Sequence, residues 1–128
     1  MNIALWHAGI AVENLEQSIK TWEALGFTVA QKFEKDEPAA HAALMVGPDK
    51  KGVELWQFTG DSQLNKFVGR HIAFKCDDIQ ETAQFLTQRG FMEVIPFTKG
   101  VMVDYIFLKD QFDTYFELAQ VREGKWDG

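Results

Sequence analysis

The chain has 128 residues and, with 13 basic against 19 acidic side chains, carries a net charge of −6 at pH 7 and a pI near 5.0. Such a surface repels phosphate groups, so neither nucleic acid nor an anionic membrane is expected as a partner. A hydrophobic content of 46% is enough for one compact domain spanning residues 1–128. The sequence has no run of about 18 apolar residues and no leader-like N-terminus, and its one cysteine fits a reducing compartment, so we expect a cytoplasmic protein.

The first predicted elements are a strand and a helix. Residues 3–12 alternate in polarity as a strand does, with His7 and small residues such as Gly9 on the less apolar face. A helix follows, with Asn14 as N-cap and Gly26 as the residue that ends it. Its apolar stripe consists of Leu15, Ile19, Trp22 and Leu25.

Three further strands complete this first module. They are predicted at 27–33, 41–46 and 53–58, with a charged turn at 34–38 and a second turn at 47–52. The module therefore has the order β-α-β-β-β over residues 1–59. The linker at 59–69 is mostly polar and is expected to hold at most a short helical turn.

The second module, residues 70–120, repeats the first. Placing His7 on His71 needs a shift of 71 − 7 = 64, and placing Glu54 on Glu117 needs 117 − 54 = 63. Asp78 takes the place of the N-cap, and Gly90 ends the second helix. Strands are predicted at 91–97, 101–108 and 114–119. The chain is thus an α+β protein of two tandem βαβββ modules, because internal repetition fixes architecture before propensity does.

Two histidines and two glutamates occupy equivalent positions in the two modules. By alternation, His7, Glu54, His71 and Glu117 all project from the strand face that does not pack on a helix. A pseudo-two-fold arrangement of curved mixed sheets would bring them into one cup. Two imidazoles and two carboxylates suit one divalent cation (Zn, Ni, Co, Mn or Fe) in octahedral coordination with two open positions.

The sequence resembles the vicinal oxygen chelate superfamily, which includes glyoxalase I, methylmalonyl-CoA epimerase, bleomycin-binding proteins and extradiol dioxygenases. The resemblance is carried by the stretches beginning at His7 and His71 and by Val53-Glu54-Leu55 and Phe116-Glu117-Leu118. It implies paired βαβββ modules around a metal cup, usually in a homodimer. It also implies that His7, Glu54, His71 and Glu117 are the metal ligands, as in glyoxalase I.

Three departures from glutathione-dependent glyoxalase I bear on the substrate. Ala11 stands where that enzyme has arginine, Phe58 stands where it has asparagine, and 109–113 replaces its usual turn. A glutathione conjugate is therefore not the expected substrate. The expected pocket is more apolar and is lined by Trp56, Phe58, Phe97, Met102 and Tyr105.

The predicted function is a metal-dependent lyase or isomerase that transfers a proton next to a carbonyl. Glu117 or Glu54 would act as the base. A methylmalonyl-CoA-epimerase-like racemase uses the same ligand set and remains an alternative. A dioxygenase needs three open metal positions rather than two. A non-enzymatic protein that binds a drug or metabolite is the alternative from a different class, and the sequence leaves open whether each site is intrachain or shared across a dimer.

Overall fold

The computed structural model describes residues 1–100 and 103–122 of the chain. Within them lie eight strands and three helices: β1 (Ile3–Ala11), α1 (Leu15–Ala24), β2 (Thr28–Asp36), β3 (Ala39–Val46), β4 (Gly52–Phe58), α2 (Asn65–Val68), β5 (Arg70–Cys76), α3 (Ile79–Thr87), β6 (Met92–Lys99), β7 (Val103–Lys109) and β8 (Tyr115–Val121). The chain divides into two compact units. We call His7–His71 the first unit, and Met1–Trp6 with Ile72–Gly128 the second unit.

The sheet of the first unit has the strand order β2-β3-β4-β1. β1 is parallel to β4, whereas β3 is antiparallel to both β4 and β2. Helix α1 covers one face of this sheet, because its apolar stripe needs a partner surface. The resulting core contains Leu15, Ile19, Ala43, Met45, Val53 and Leu55, with Ile10 and Val12 packed against it.

The second unit repeats this arrangement with the order β5-β8-β7-β6. β5 is parallel to β8, and β7 is antiparallel to β8 and to β6. Helix α3 covers the core of Cys76, Ile79, Ala83, Ile106, Leu108 and Leu118. The prediction of an α+β chain built from two βαβββ modules is confirmed.

Each of the two long helices is capped as predicted. The Asn14 side-chain oxygen accepts a hydrogen bond from the Gln17 backbone N–H at 3.1 Å, and the Asp78 carboxylate accepts one from Glu81 at 3.1 Å. These bonds satisfy N–H groups that the first helical turn leaves without a partner.

A second pair of contacts, not foreseen from the sequence, ties each helix start to the last strand of its module. The Gln57 side-chain oxygen on β4 accepts from the Leu15 N–H at 2.6 Å, and that of Gln120 on β8 accepts from the Ile79 N–H at 2.9 Å. The repeat therefore extends to individual hydrogen bonds, at the same shifts of 63 and 64 residues.

Two details of the elements differ from expectation. Gly26 and Gly90 end their helices with φ of 95° and 97°, as predicted, but Leu25 is 64% exposed and lies outside the core. Strand β2 continues to Asp36, because Lys35 and Asp36 pair with β3 and extend the hairpin through the charged segment. No helix in the described parts of the chain is long and apolar enough to cross a membrane.

Candidate metal centre

Three of the four predicted ligands meet within the first unit. His7 lies on β1, Glu54 on β4 and His71 on β5. Parallel pairing sets Gly9 opposite Glu54, and His7 shares the strand face of Gly9 because the two are two residues apart. His7 and His71 are 3% and 4% exposed, and the Glu54 side chain is 15% exposed.

Distances within this group suit a first-row cation. Glu54 Oε1 lies 3.6 Å from His7 Nε2 and 3.8 Å from His71 Nε2, and the two imidazole rings stand edge to face at 5.5 Å. A cation with bonds of about 2.1 Å separates adjacent ligands by about 3.0 Å and opposite ones by about 4.2 Å. The two oxygen–nitrogen distances, 3.6 and 3.8 Å, fall between these values, so His7, Glu54 and His71 can hold such an ion with small adjustments.

The orientation of His71 is set by a backbone carbonyl. His71 Nδ1 lies 2.8 Å from the carbonyl oxygen of Val68, at the end of α2. A carbonyl only accepts, so Nδ1 carries the proton, and in the neutral ring Nε2 keeps the lone pair that a metal needs. The short helix in the predicted linker thus has a role in the site that sequence patterning did not reveal.

Gly9 provides the space that the His71 ring occupies. A Cβ atom at Gly9 would lie 2.1 Å from His71 Cε1, 2.3 Å from Nδ1 and 2.8 Å from the Val68 carbonyl oxygen. No side chain fits there unless the ring moves. The small residues beside His7 in the sequence were the signal for this, since they left room in front of the histidine.

Glu54 also contacts Trp56, two residues along β4. The indole Nε1–H donates to Glu54 Oε1 at 2.8 Å. Trp56 is 4% exposed and packs in a cluster with Ala40, Ala42 and Val68. The sequence predicted an apolar pocket residue here and did not reveal its polar contact.

The fourth predicted ligand, Glu117, lies on β8 in the second unit and is 8% exposed. Its register partner on β5 is Ala73, just as Glu54 pairs with Gly9 on β1. Each unit therefore carries a glutamate at the same place in its parallel strand pair.

The remaining predicted pocket residues lie in different surroundings. Phe58 is half-buried against the Trp56 cluster, Phe97 is 40% exposed on β6, and Tyr105 is half-buried on β7. Met102 lies outside the described residues. The third histidine, His41, is exposed, with its Nδ1 2.9 Å from Glu34 Oε1, so it does not belong to the buried group.

Cys76 does not contribute to the site. Its thiol is buried in the core under α3, and burial raises its pKa to about 11. A buried, protonated thiol is neither a nucleophile nor a metal ligand at neutral pH.

Paired βαβββ units that carry histidine and glutamate at equivalent strand positions define the class of vicinal oxygen chelate folds. A family model described as the Glyoxalase/Bleomycin resistance protein/Dioxygenase superfamily matches residues 6–104. The chain belongs to this superfamily, as the sequence resemblance indicated. No curated protein matches the chain in sequence.

Solved structures show the same fold at low identity. A hypothetical protein from Bacillus halodurans is 18% identical, with a TM-score of 0.80 and complete coverage of both chains. Methylmalonyl-CoA epimerase from Mycobacterium tuberculosis is 22% identical, with a TM-score of 0.78 over 91% of this chain and 87% of that one. A variant of the Streptomyces coelicolor methylmalonyl-CoA epimerase, in complex with 2-nitronate-propionyl-CoA, is 23% identical, with a TM-score of 0.77 over 95% and 96%. At these identities the likeness establishes the fold alone.

Proposed function

We propose that the chain is a divalent-metal-dependent enzyme that transfers a proton next to a carbonyl group. The observation that carries the proposal is the buried group of His7, Glu54 and His71, whose ligand atoms lie within 4.8 Å of one another. Two imidazole nitrogens and a carboxylate oxygen brought this close together from three different strands form a donor set that suits a divalent cation.

Glu117 is the fourth ligand in this proposal. It is supported by its burial and by its equivalence to Glu54 in the strand register of the repeat. With His7, Glu54 and His71 it gives an N2O2 donor set, which accepts Zn, Ni, Co, Mn or Fe. Six-coordination then leaves two positions for substrate oxygens.

The chemistry follows from a carboxylate placed beside such a centre. When bound, the cation supplies Lewis acidity toward a substrate carbonyl. Glu117 or Glu54 takes the proton from the carbon next to that carbonyl, and the same carboxylate or its counterpart returns a proton. Return to the neighbouring carbon gives a glyoxalase-type isomerisation, whereas return to the same carbon from the opposite side gives an epimerisation.

The substrate is proposed to be a small, partly apolar carbonyl or thioester compound rather than a glutathione conjugate. Ala11 and Phe58 stand where a glutathione-dependent enzyme carries an arginine and an asparagine. Phe58, which packs against the Trp56 cluster, would contact the apolar part of the substrate. Epimerisation of a 2-substituted acyl thioester is the second candidate, favoured by the similarity in fold to methylmalonyl-CoA epimerases.

The test combines metal content with proton exchange. Protein purified without added metal should contain about one divalent ion per chain by elemental analysis. The loaded protein should exchange the α-proton of a substrate for deuterium from solvent, followed by NMR on hemithioacetals of small thiols and on 2-substituted acyl thioesters. Glu54→Gln and Glu117→Gln should each abolish exchange while retaining part of the metal.

Matched controls are available on exposed strand positions. Glu34→Gln on β2 and Glu93→Gln on β6 make the same chemical change at exposed residues and should leave exchange unchanged. Full activity in both Glu54→Gln and Glu117→Gln would refute the proposal.

A protein that binds no metal but takes up aromatic ligands would instead be a binding protein, and oxygen uptake with a catechol would indicate a dioxygenase. Assembly as a homodimer is a further part of the proposal, checked by sedimentation.

A further inference from the structure

We propose that Trp56 is a positioning residue, whose indole N–H orients the Glu54 carboxylate as a metal ligand. The inference rests on the proposed metal site and concerns what orients one of its carboxylates. It starts from one hydrogen bond, between Trp56 Nε1 and Glu54 Oε1 at 2.8 Å.

The oxygen held by the indole is the one that faces the histidines. Glu54 Oε1 is the atom that lies 3.6 Å from His7 Nε2 and 3.8 Å from His71 Nε2. Glu54 and Trp56 are two residues apart on β4 and so share a strand face. The donor therefore approaches Glu54 from along its own strand and directs one defined carboxylate oxygen toward the two imidazoles.

The indole itself cannot easily turn away. Its ring is 4% exposed, meets Phe33 edge to face at 5.4 Å and 84°, and stacks on Phe58 at 6.0 Å and 16°. The Trp56 backbone carbonyl accepts a hydrogen bond from the Val12 N–H at 2.8 Å, which fixes the strand beneath it. A donor packed on both sides restrains its acceptor more strongly than a solvent-exposed donor does, because the packed side chain has little rotational freedom of its own.

The repeat makes the two glutamates comparable, and this contact differs between them. Adding 63 to Trp56 gives Ala119, two residues after Glu117 on β8 and 1% exposed. An alanine side chain has no donor, so position 119 does not repeat the indole bond. The indole bond is therefore a feature that the two modules do not share at these equivalent positions.

The experiment uses Trp56→Phe, which keeps an aromatic ring and removes the donor. Binding of Co²⁺ to the metal-free protein is followed by its visible absorption bands. Groups that orient a ligand typically contribute about 10–100-fold to metal affinity, so Trp56→Phe should weaken Co²⁺ binding by about tenfold. Trp22→Phe is the matched control, since Trp22 lies on α1 and packs edge to face on Phe27, and it is expected to change the affinity by less than about twofold.

A double-mutant cycle separates positioning from general packing. In a Glu54→Ala background, Trp56→Phe should weaken Co²⁺ binding no further, because the acceptor is already absent. In the metal-free protein, the indole ¹H–¹⁵N signal that Trp56→Phe removes should shift when Glu54 is replaced by alanine.

The outcomes separate this inference from the proposed function. If the wild-type chain binds Co²⁺ and Trp56→Phe binds it equally well, the positioning role is wrong and the metal site stands. An undiminished effect of Trp56→Phe in the Glu54→Ala background, or an indole signal that does not respond to Glu54, likewise overturns it. A wild-type chain that binds no Co²⁺ overturns both.

Discussion

Replacing Gly9 by alanine should displace His71 and so weaken both the fold and metal binding. The added Cβ would lie 2.1 Å from His71 Cε1, whereas an ordinary carbon–carbon contact is about 3.5 Å, so the ring must move by about 1.4 Å. The Val68 carbonyl oxygen lies 2.8 Å from the same Cβ, so the new methyl group cannot avoid the ring by shifting toward Val68. Because the obstacle is contact rather than a left-handed backbone, even the smallest side chain has this effect.

The magnitude follows from two losses. Overpacking of this kind costs about 1–3 kcal/mol, and losing the hydrogen bond from His71 Nδ1–H to Val68 costs about 1 kcal/mol more. The free energy of unfolding of the metal-free protein should therefore fall by about 2–4 kcal/mol. Metal affinity should fall by about 10–100-fold or more, because His71 would no longer present Nε2 in its original direction.

Urea denaturation of the metal-free protein gives the first quantity, and titration with Co²⁺ gives the second. Gly60→Ala is the matched control, since its Cβ would meet only the Ala39 methyl at 3.5 Å, an ordinary contact. If Gly9→Ala bound Co²⁺ as tightly as the wild type, the ring of His71 would not lie over Gly9, and the described geometry would be wrong.

Two pH effects should also be measurable. Burial raises the pKa of the Cys76 thiol from 9.0 to about 11. Because the thiol of the unfolded chain ionises first, the free energy of unfolding should fall as the pH rises from 9 to 11. Cys76→Ala should make the free energy of unfolding, measured by urea denaturation at several pH values, fall less steeply over this range. The backbone N–H groups of Thr114 and Phe112, each at 2.9 Å, lower the pKa of Asp110 from its ordinary 3.8. The contribution of the ionised Asp110 to stability is therefore complete above pH 3.8 and is lost as the pH falls through the lowered pKa. Asp110→Asn should make the melting temperature less sensitive to acid. An unchanged dependence of the melting temperature on acid pH would count against this turn geometry.

The features predicted well from the sequence were those whose signals occur in both modules of the repeat. Asn14 and Asp78 as caps, Gly26 and Gly90 as helix ends, and the βαβββ order each depended on local chemistry present in both modules. Local rules such as capping need only a few neighbouring residues, so they can be read without knowing the tertiary structure.

The features that were missed depend on contacts between distant residues. Leu25 completes a helical stripe in the sequence, but it is the C-cap residue that follows the last residue of α1, and it stays exposed. Trp56 was predicted as an apolar pocket residue, since an indole's hydropathy says nothing about where its N–H points. The Val68 carbonyl that orients His71 lies in a four-residue helix, which is too short to show a hydrophobic periodicity in the sequence.

The central claim is that His7, His71, Glu54 and Glu117 hold one cation, and a crystal structure of the Co²⁺-loaded protein tests it most directly. Anomalous scattering at the cobalt edge should show one strong peak per chain, about 2.0–2.2 Å from both histidine Nε2 atoms and from an oxygen of each carboxylate. A peak elsewhere, for example at the exposed pair of His41 and Glu34, or no peak among these four side chains, would contradict it.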